Sequence, residues 1–268
     1  SEATICALSS AEWSGARHTI GPMTHAVSAA YAAATTPRPA SATTAAATTP
    51  RPANHTAGTA HRTVGVFALQ GDVREHVHVL QTLGARTRLV RRAADLDGLD
   101  GIVLPGGESS VMDRLAGIMD LKAPLAQALR EGLPAYGTCA GLIMLAARIE
   151  NPAPGQGSLG VLDVTVRRNA FGAQVDSCEE DLSVPAVSAD PVHAVFIRAP
   201  AVLEVGEGVD VLASVPCDRL SGPAPAGRDG TVPDDLPVAV RQGSLLATSF
   251  HPEVTGDWSF HREFLAGL

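Results

Sequence analysis

The sequence predicts an α/β protein with a mostly parallel central sheet flanked by helices. Three observations carry this. From Thr63 onward, short apolar runs alternate with segments of helical periodicity, the pattern of strand and helix in turn. Runs such as 64–69 and 101–104 are apolar at successive positions, as strands covered on both faces are. Small-residue turns follow several of these runs, where open sheets of this kind carry their functional groups.

The elements follow in order. Residues 64–69 form a buried strand. In 72–83 the apolar positions 73, 77, 80 and 83 share a helix face, and Gly84 ends it. Strands are expected at 87–90 and 101–104, helices at 109–119 and 121–131, a strand at 133–136 and a helix at 141–148. The second half is richer in strands, at 162–167, 192–198, 211–215, 237–241 and 245–249, with a closing helix at 258–265. Residues 219–236 are rich in Gly, Pro and Asp and read as a long surface hairpin loop.

The 268 residues suffice for one large domain or two small ones. Residues 1–62 stand apart, an Ala-, Thr-, Ser- and Pro-rich extension in which one nonapeptide occurs at 32–40 and again at 45–53. Repeats so short cannot bury a core, so disorder is expected there. Three readings fit the stretch: a flexible tail, which is favoured; a targeting segment, since it holds Arg and few acids; or upstream sequence from a mis-assigned start. The working domain is expected at 63–268.

Charge and cysteines exclude several classes. Residues 1–62 carry four Arg against two Glu, leaving 16 basic and 26 acidic residues in the remainder. So acidic a domain argues against nucleic-acid binding. No apolar run approaches the roughly 18 residues of a membrane span. Lys122 is the single lysine, which reads as a coding bias rather than a functional choice. Cys6, Cys139, Cys178 and Cys217 are widely spaced, with no Cys-x-x-Cys pairing. Neither a zinc site nor a disulfide framework is expected, and cytoplasm is the expected location.

Two motifs carry chemistry. Gly137-Thr138-Cys139-Ala140-Gly141 sets one thiol between an apolar strand and a helical run. A thiol at a helix N-terminus is favoured as thiolate by the dipole and the free N–H groups. Phe250-His251-Pro252-Glu253 supplies a base and a carboxylate. On an extended segment residues two apart point to the same side, so Glu253 can orient His251. Alone, a cysteine is more often core and a His-Pro-Glu more often loop. A third element strengthens the pair: Leu104-Pro105-Gly106-Gly107-Glu108-Ser109 follows a strand, and adjacent glycines can present N–H groups to an anion. His76 and His78 read as a solvated helix face, with no third ligand at metal-binding spacing.

These residues resemble the triad glutamine amidotransferases. Within that class the chain is similar to the glutaminase subunits of pyridoxal 5′-phosphate synthase, over about residues 63–268. The specific stretches are 69–76, 104–110, Arg168-Asn169-Ala170-Phe171-Gly172, Asp176-Ser177, Phe196-Ile197-Arg198-Ala199-Pro200 and 247–253. The resemblance implies a flavodoxin-like class I glutamine amidotransferase fold. It implies that Cys139 attacks the glutamine side-chain amide, that His251 moves the proton and that Glu253 holds the imidazole. The N–H groups of Gly107 and Ala140 would form the oxyanion hole, and Gly107, Glu108, Ser109, Arg168, Ile197 and Arg198 would bind L-glutamine. Ammonia would pass to a barrel-shaped synthase subunit docked near Gln70–His76, and the chain alone would be nearly silent. No cofactor and no metal are expected in the glutaminase.

Plainer roles stand beside these. Arg168 and Arg198 could be surface ion pairs, and Glu108 could cap the following helix. The extension, Ala173 in place of an Arg common in the family, and the long 219–236 loop depart from the family pattern. A free-standing cysteine hydrolase of glutamyl substrates on the same fold is the alternative activity. A non-enzymatic binding partner with a vestigial triad is the third reading, against which the intact Cys, His and Glu argue.

Overall fold

A computed structural model describes residues 62–171, 178–219 and 234–268. The expected disorder of the extension, the motif residues Gly172, Asp176 and Ser177, Ala173, and most of the 219–236 loop lie outside them.

The chain order is β1 (Thr63–Phe67), α1 (Val73–Thr82), β2 (Arg86–Val90), β3 (Gly101–Leu104), α2 (Ser109–Ile118), α3 (Lys122–Arg130), β4 (Ala135–Thr138) and α4 (Ala140–Leu145). It continues with β5 (Ala146–Ile149), β6 (Leu162–Arg167), β7 (Cys178–Leu182), β8 (Val192–Phe196), β9 (Ala201–Val205) and β10 (Asp210–Pro216). After it come β11 (Asp235–Gln242), β12 (Leu245–Thr248), α5 (Pro252–Thr255) and α6 (Ser259–Ala266).

Seven strands form the main sheet in the order β10-β11-β12-β4-β3-β1-β2. The pairings from β12 through β4, β3 and β1 to β2 are parallel, while β10, β11 and β12 run antiparallel at one edge. A smaller sheet joins β5, β6 and β9, and β7 pairs with β8. Every residue of β3, β4 and β12 is buried, because helices cover both faces. Alternation divides the core: Val103 and Tyr136 pack with Phe250, Phe260 and Phe264 on one face. Ile102 and Leu104 pack with Met112, Leu125 and Leu142 on the other.

Several local expectations needed correction. The helix expected at 141–148 ends at Leu145, and Ala146–Ile149 turns into a strand beside Leu162–Arg167. The strands β7 and β9 have no clear signal in the sequence: Cys178-Glu179-Glu180-Asp181-Leu182 is too acidic for the usual alternation, and Ala201–Val205 follows directly on Pro200. His76 is fully buried, not solvated, whereas His78 is exposed as expected. Position 76 lies three residues after Val73 and four before Leu80, so it shares the inward face of α1.

Register places the site. Leu104 on β3, Gly137 on β4 and Ala247 on β12 lie side by side. The turns leaving these three neighbouring strands therefore open at one edge of the sheet.

Candidate active site

Cys139 caps α4 directly after β4, with φ 46° and ψ −100°. Positive φ is uncommon outside glycine, and it sets the thiol at the apex of a sharp strand-to-helix turn. The turn is held on both sides. The Cys139 N–H donates to the Thr248 carbonyl at 2.8 Å, and its carbonyl accepts from Ile143 N–H at 3.3 Å.

His251 leaves β12 and caps α5, its N–H donating to the Val195 carbonyl at 3.2 Å. Its Nδ1 lies 2.8 Å from Glu253 Oε1. From sequence an extended segment is expected here. It is instead a short helix begun by Pro252, and Glu253 turns inward from its first turn. The pair is formed all the same. With Nδ1 on Glu253, the His251 hydrogen bond to Cys139 falls to Nε2.

Electrostatics favours a charged His251–Glu253 pair. Burial alone would lower the His251 pKa, but negative charge on Cys139 and Glu253, with a hydrogen bond to each, raises it well above the usual value. Burial would raise Glu253; His76 and His251 beside it overcome that and hold it down at about 2. Asp72, 3.6 Å from His251 Nδ1, is pushed up to about 6, chiefly by partial burial. Asp72, His251 and Glu253 bring ligand-type atoms within 4.8 Å of one another. His251 Nδ1 and Glu253 Oε1 are already paired with each other at 2.8 Å, an arrangement suited to acid–base chemistry.

The glycine loop lies against this line. A Cβ on Gly106 would sit 2.3 Å from His251 Cε1, so only glycine lets the imidazole approach. Gly107 has φ +152°, and a Cβ there would meet Gln70 Oε1 at 2.5 Å. The loop is clamped by the turn after β1: the Gly106 carbonyl accepts from Asp72 N–H at 3.1 Å, and Glu108 N–H donates to Gln70 Oε1 at 2.8 Å. Gly106→Ala should therefore lower turnover about 10²-fold by displacing His251. The structural cost should be about 1–3 kcal/mol. Steady-state kinetics beside a melting curve checks both, and unchanged turnover would contradict the close approach.

The residues expected to bind glutamine gather around this edge in two groups. Glu108, half-exposed, accepts from Arg168 Nη2 at 2.8 Å and also from Ser110 Oγ at 3.0 Å, so it caps α2 and pairs with the arginine at once. Ser109 is buried, and its hydroxyl accepts from Gln156 at 3.0 Å. Asn151 grips the Arg168 main chain at both ends, accepting from its N–H at 2.7 Å and donating to its carbonyl at 3.2 Å. Ile197 and Arg198 follow β8 two and three residues after the carbonyl that anchors His251. Arg198 has φ 47°, and the next residue, Ala199, accepts from Ala170 N–H at 2.9 Å, tying the Arg168 and Arg198 segments together. Asp72, Asn151, His76 and His261 were not singled out from sequence as parts of the site. The helical phase of His76 was the one signal that could have found any of them.

A thiol at a strand–helix apex, a His–Glu pair in the short helical turn after the neighbouring strand and a glycine loop on the other side define a triad glutamine amidotransferase. The chain belongs to the SNO glutamine amidotransferase family, whose profile matches residues 66–267. It is 59% identical over 202 residues to the pyridoxal 5′-phosphate synthase subunit PdxT of Clavibacter michiganensis subsp. michiganensis, covering 75% of this chain and 88% of the relative. It is 58% identical over 206 residues to PdxT of Kineococcus radiotolerans, covering 76% and 93%. A crystal structure of a glutamine amidotransferase superposes with a TM-score of 0.65 at 45% identity, covering 76% of this chain and 99% of that one. The PurLQS structure from Thermotoga maritima, at 17% identity and a TM-score of 0.52, covers 78% and 98% and shares the fold.

Proposed function

We propose that this chain hydrolyses L-glutamine to glutamate and ammonia, and supplies the ammonia to a synthase subunit that makes pyridoxal 5′-phosphate. The observation that carries this is the placement of Cys139 beside a buried His251–Glu253 pair. The relatives named pyridoxal 5′-phosphate synthase subunits support the destination of the ammonia.

Cys139 Sγ attacks the side-chain amide carbon of glutamine, and the developing oxyanion turns to the N–H groups of Gly107 and Ala140. The C–N bond breaks as His251 gives its proton to the departing nitrogen, leaving a thioester and free ammonia. Water, deprotonated by His251, attacks the thioester and releases glutamate and the thiol. Glu253 stays ionised throughout and holds the imidazole by Nδ1. Arg168 and Arg198 are suited to the substrate α-carboxylate, and Glu108 to its α-ammonium. Gly107, Ser109 and Ile197 would frame the same pocket. Because Arg168 and Glu108 pair with each other, glutamine binding would exchange that ion pair for two contacts to substrate.

The barrel subunit would dock on the turn after β1. His76 drops out of the expected contact, since it is buried, leaving residues 70–75 with Arg74 largely exposed. A groove lined by Val73, Arg74, Val77, His78 and Leu89 runs alongside. Gln70 and Asp72 clamp the Gly106–Glu108 loop, so a partner engaging this turn can also shift the loop that is to receive the oxyanion. A thiol nucleophile of this kind suits a reducing compartment, the cytoplasm. Among the described residues no helix is long and apolar enough to cross a membrane.

The glutamine analogue 6-diazo-5-oxonorleucine tests the substrate class. It should label Cys139, and glutamine should protect it. Labelled-peptide mass spectra showing Cys178 or Cys217 instead, or no protection, would contradict the reading.

A further inference from the structure

Behind the triad lies a second line of side chains that the reaction sequence above leaves unused. His76 from α1 and His261 from α6 are both fully buried. His76 Nδ1 is 2.9 Å from His261 Nε2, and the two ring centroids are 5.1 Å apart. On its other side, His76 Nε2 is 3.1 Å from Thr138 Oγ1 and 3.7 Å from Glu253 Oε1. Thr138 is the residue before Cys139. Tyr136 lies edge-to-face on the His261 ring, 5.3 Å between centroids.

Burial favours the neutral form of both imidazoles. Burial lowers His76, and burial with His76 alongside lowers His261 to about 3. A neutral imidazole has one N–H and one lone pair, so a chain of two has a direction. If the His76 lone pair were on Nε2, it would face the Glu253 anion and oppose it. The carboxylate therefore favours the proton on His76 Nε2, which is 3.1 Å from Thr138 Oγ1 and turns its positive end toward Glu253 Oε1, 3.7 Å away. His76 Nδ1 is then an acceptor, and His261 Nε2–H fills it. His261 Nδ1 is left as a buried lone pair with no partner among the described residues. On the carboxylate, Oε1 faces both His251 and His76, while Oε2 is buried with no donor from another described residue. A buried anion with so few donors depends strongly on each of them.

We propose that His76, its tautomer fixed by His261, is a positioning residue for this reaction, presenting an Nε2–H that keeps Glu253 in the anionic form that orients His251. The inference rests on the triad roles above. Other charged or titratable groups face this line too. Asp72 and Glu75 come from the start of α1, Cys139 from the end of β4, and Arg262 from α6. Asp72, raised to about 6, titrates within the pH range scanned below, so an Asp72→Asn background separates its contribution.

The test is the pH dependence of Cys139 alkylation by iodoacetamide, read on the Cys139 peptide of the full chain, beside glutamine turnover in the complex with the synthase subunit. In His76→Leu the acid limb of alkylation should move up by about one pH unit. Turnover should fall about tenfold or more with KM unchanged, as expected when a group acts on the chemical step. His76→Gln, whose amide can supply an N–H, should recover most of both effects, and His261→Leu should act in the same direction as His76→Leu. A folded His76→Leu with the wild-type limb would overturn the proposal. If the wild-type chain has no acid limb below the ordinary thiol range near about 8.5, the triad reading fails instead. Should His76→Leu not fold, ¹⁵N NMR of the wild-type histidines decides. The proposal requires His76 neutral with its proton on Nε2 across neutral pH, and a proton on Nδ1 overturns it.

Discussion

Cys139→Ala is expected to remove glutamine hydrolysis by a factor on the order of 10³ or more while the chain keeps its fold. In the proposed mechanism this thiol forms the covalent bond. Its side chain is small and 6% exposed, at the apex of a turn held by main-chain bonds to Thr248 and Ile143 that alanine leaves intact. The positive φ of 46° is tolerated no better by alanine, so the melting temperature should hardly move. A second change at His251 should then add little, because the two act as one unit. Ammonia release in the assembled complex is the measurement. Retention of more than a tenth of the activity would sink the nucleophile assignment.

Glu253→Gln should cost about 10²–10⁴ in turnover with a smaller change in KM, the scale on which an orienting carboxylate acts through its imidazole. The carboxyl is held at about 2, so it is charged wherever the enzyme works. Its charge also helps raise His251 against the burial that would lower it. An amide keeps the shape and removes the charge, and it can turn its NH₂ toward Nδ1 and impose the wrong tautomer. Glu253 also contributes stability. Its folded pKa is depressed from 4.5 to about 2, so that contribution is present above the higher value and is lost as pH falls toward the lower. The Gln variant should accordingly lose less stability between pH 5 and 2 than the wild type. Near-normal turnover in Glu253→Gln would leave His251 oriented by something else.

The sequence made the architecture legible where local signals agreed. Helix α1 was readable from its apolar spacing and Gly84, and β3, β6 and β12 from runs that end at turn residues. Cys139, His251 and Glu253 were readable because each sits in a distinctive motif. What could not be read depended on partners distant in sequence. Ala146–Ile149 continues an apolar helical pattern and becomes a strand through pairing with β6. His76 looked solvated because its partners, His261 and Thr138, are 185 and 62 residues away. The His251–Glu253 contact was anticipated for the wrong local reason, since Pro252 at the first helical position signals a helix start rather than an extended segment. The clamp of Gln70 and Asp72 on the glycine loop was equally hidden, being a contact between the turns after β1 and β3.

We propose that this glutaminase is made productive by a synthase partner acting on the Gly106–Glu108 loop. The direct measurement is the turnover number for glutamine as the synthase subunit is titrated onto the chain. Turnover should be low in isolation and rise about tenfold or more to a plateau at saturating partner. Full turnover in the isolated chain, unchanged by the partner, would contradict it and favour a free-standing hydrolase.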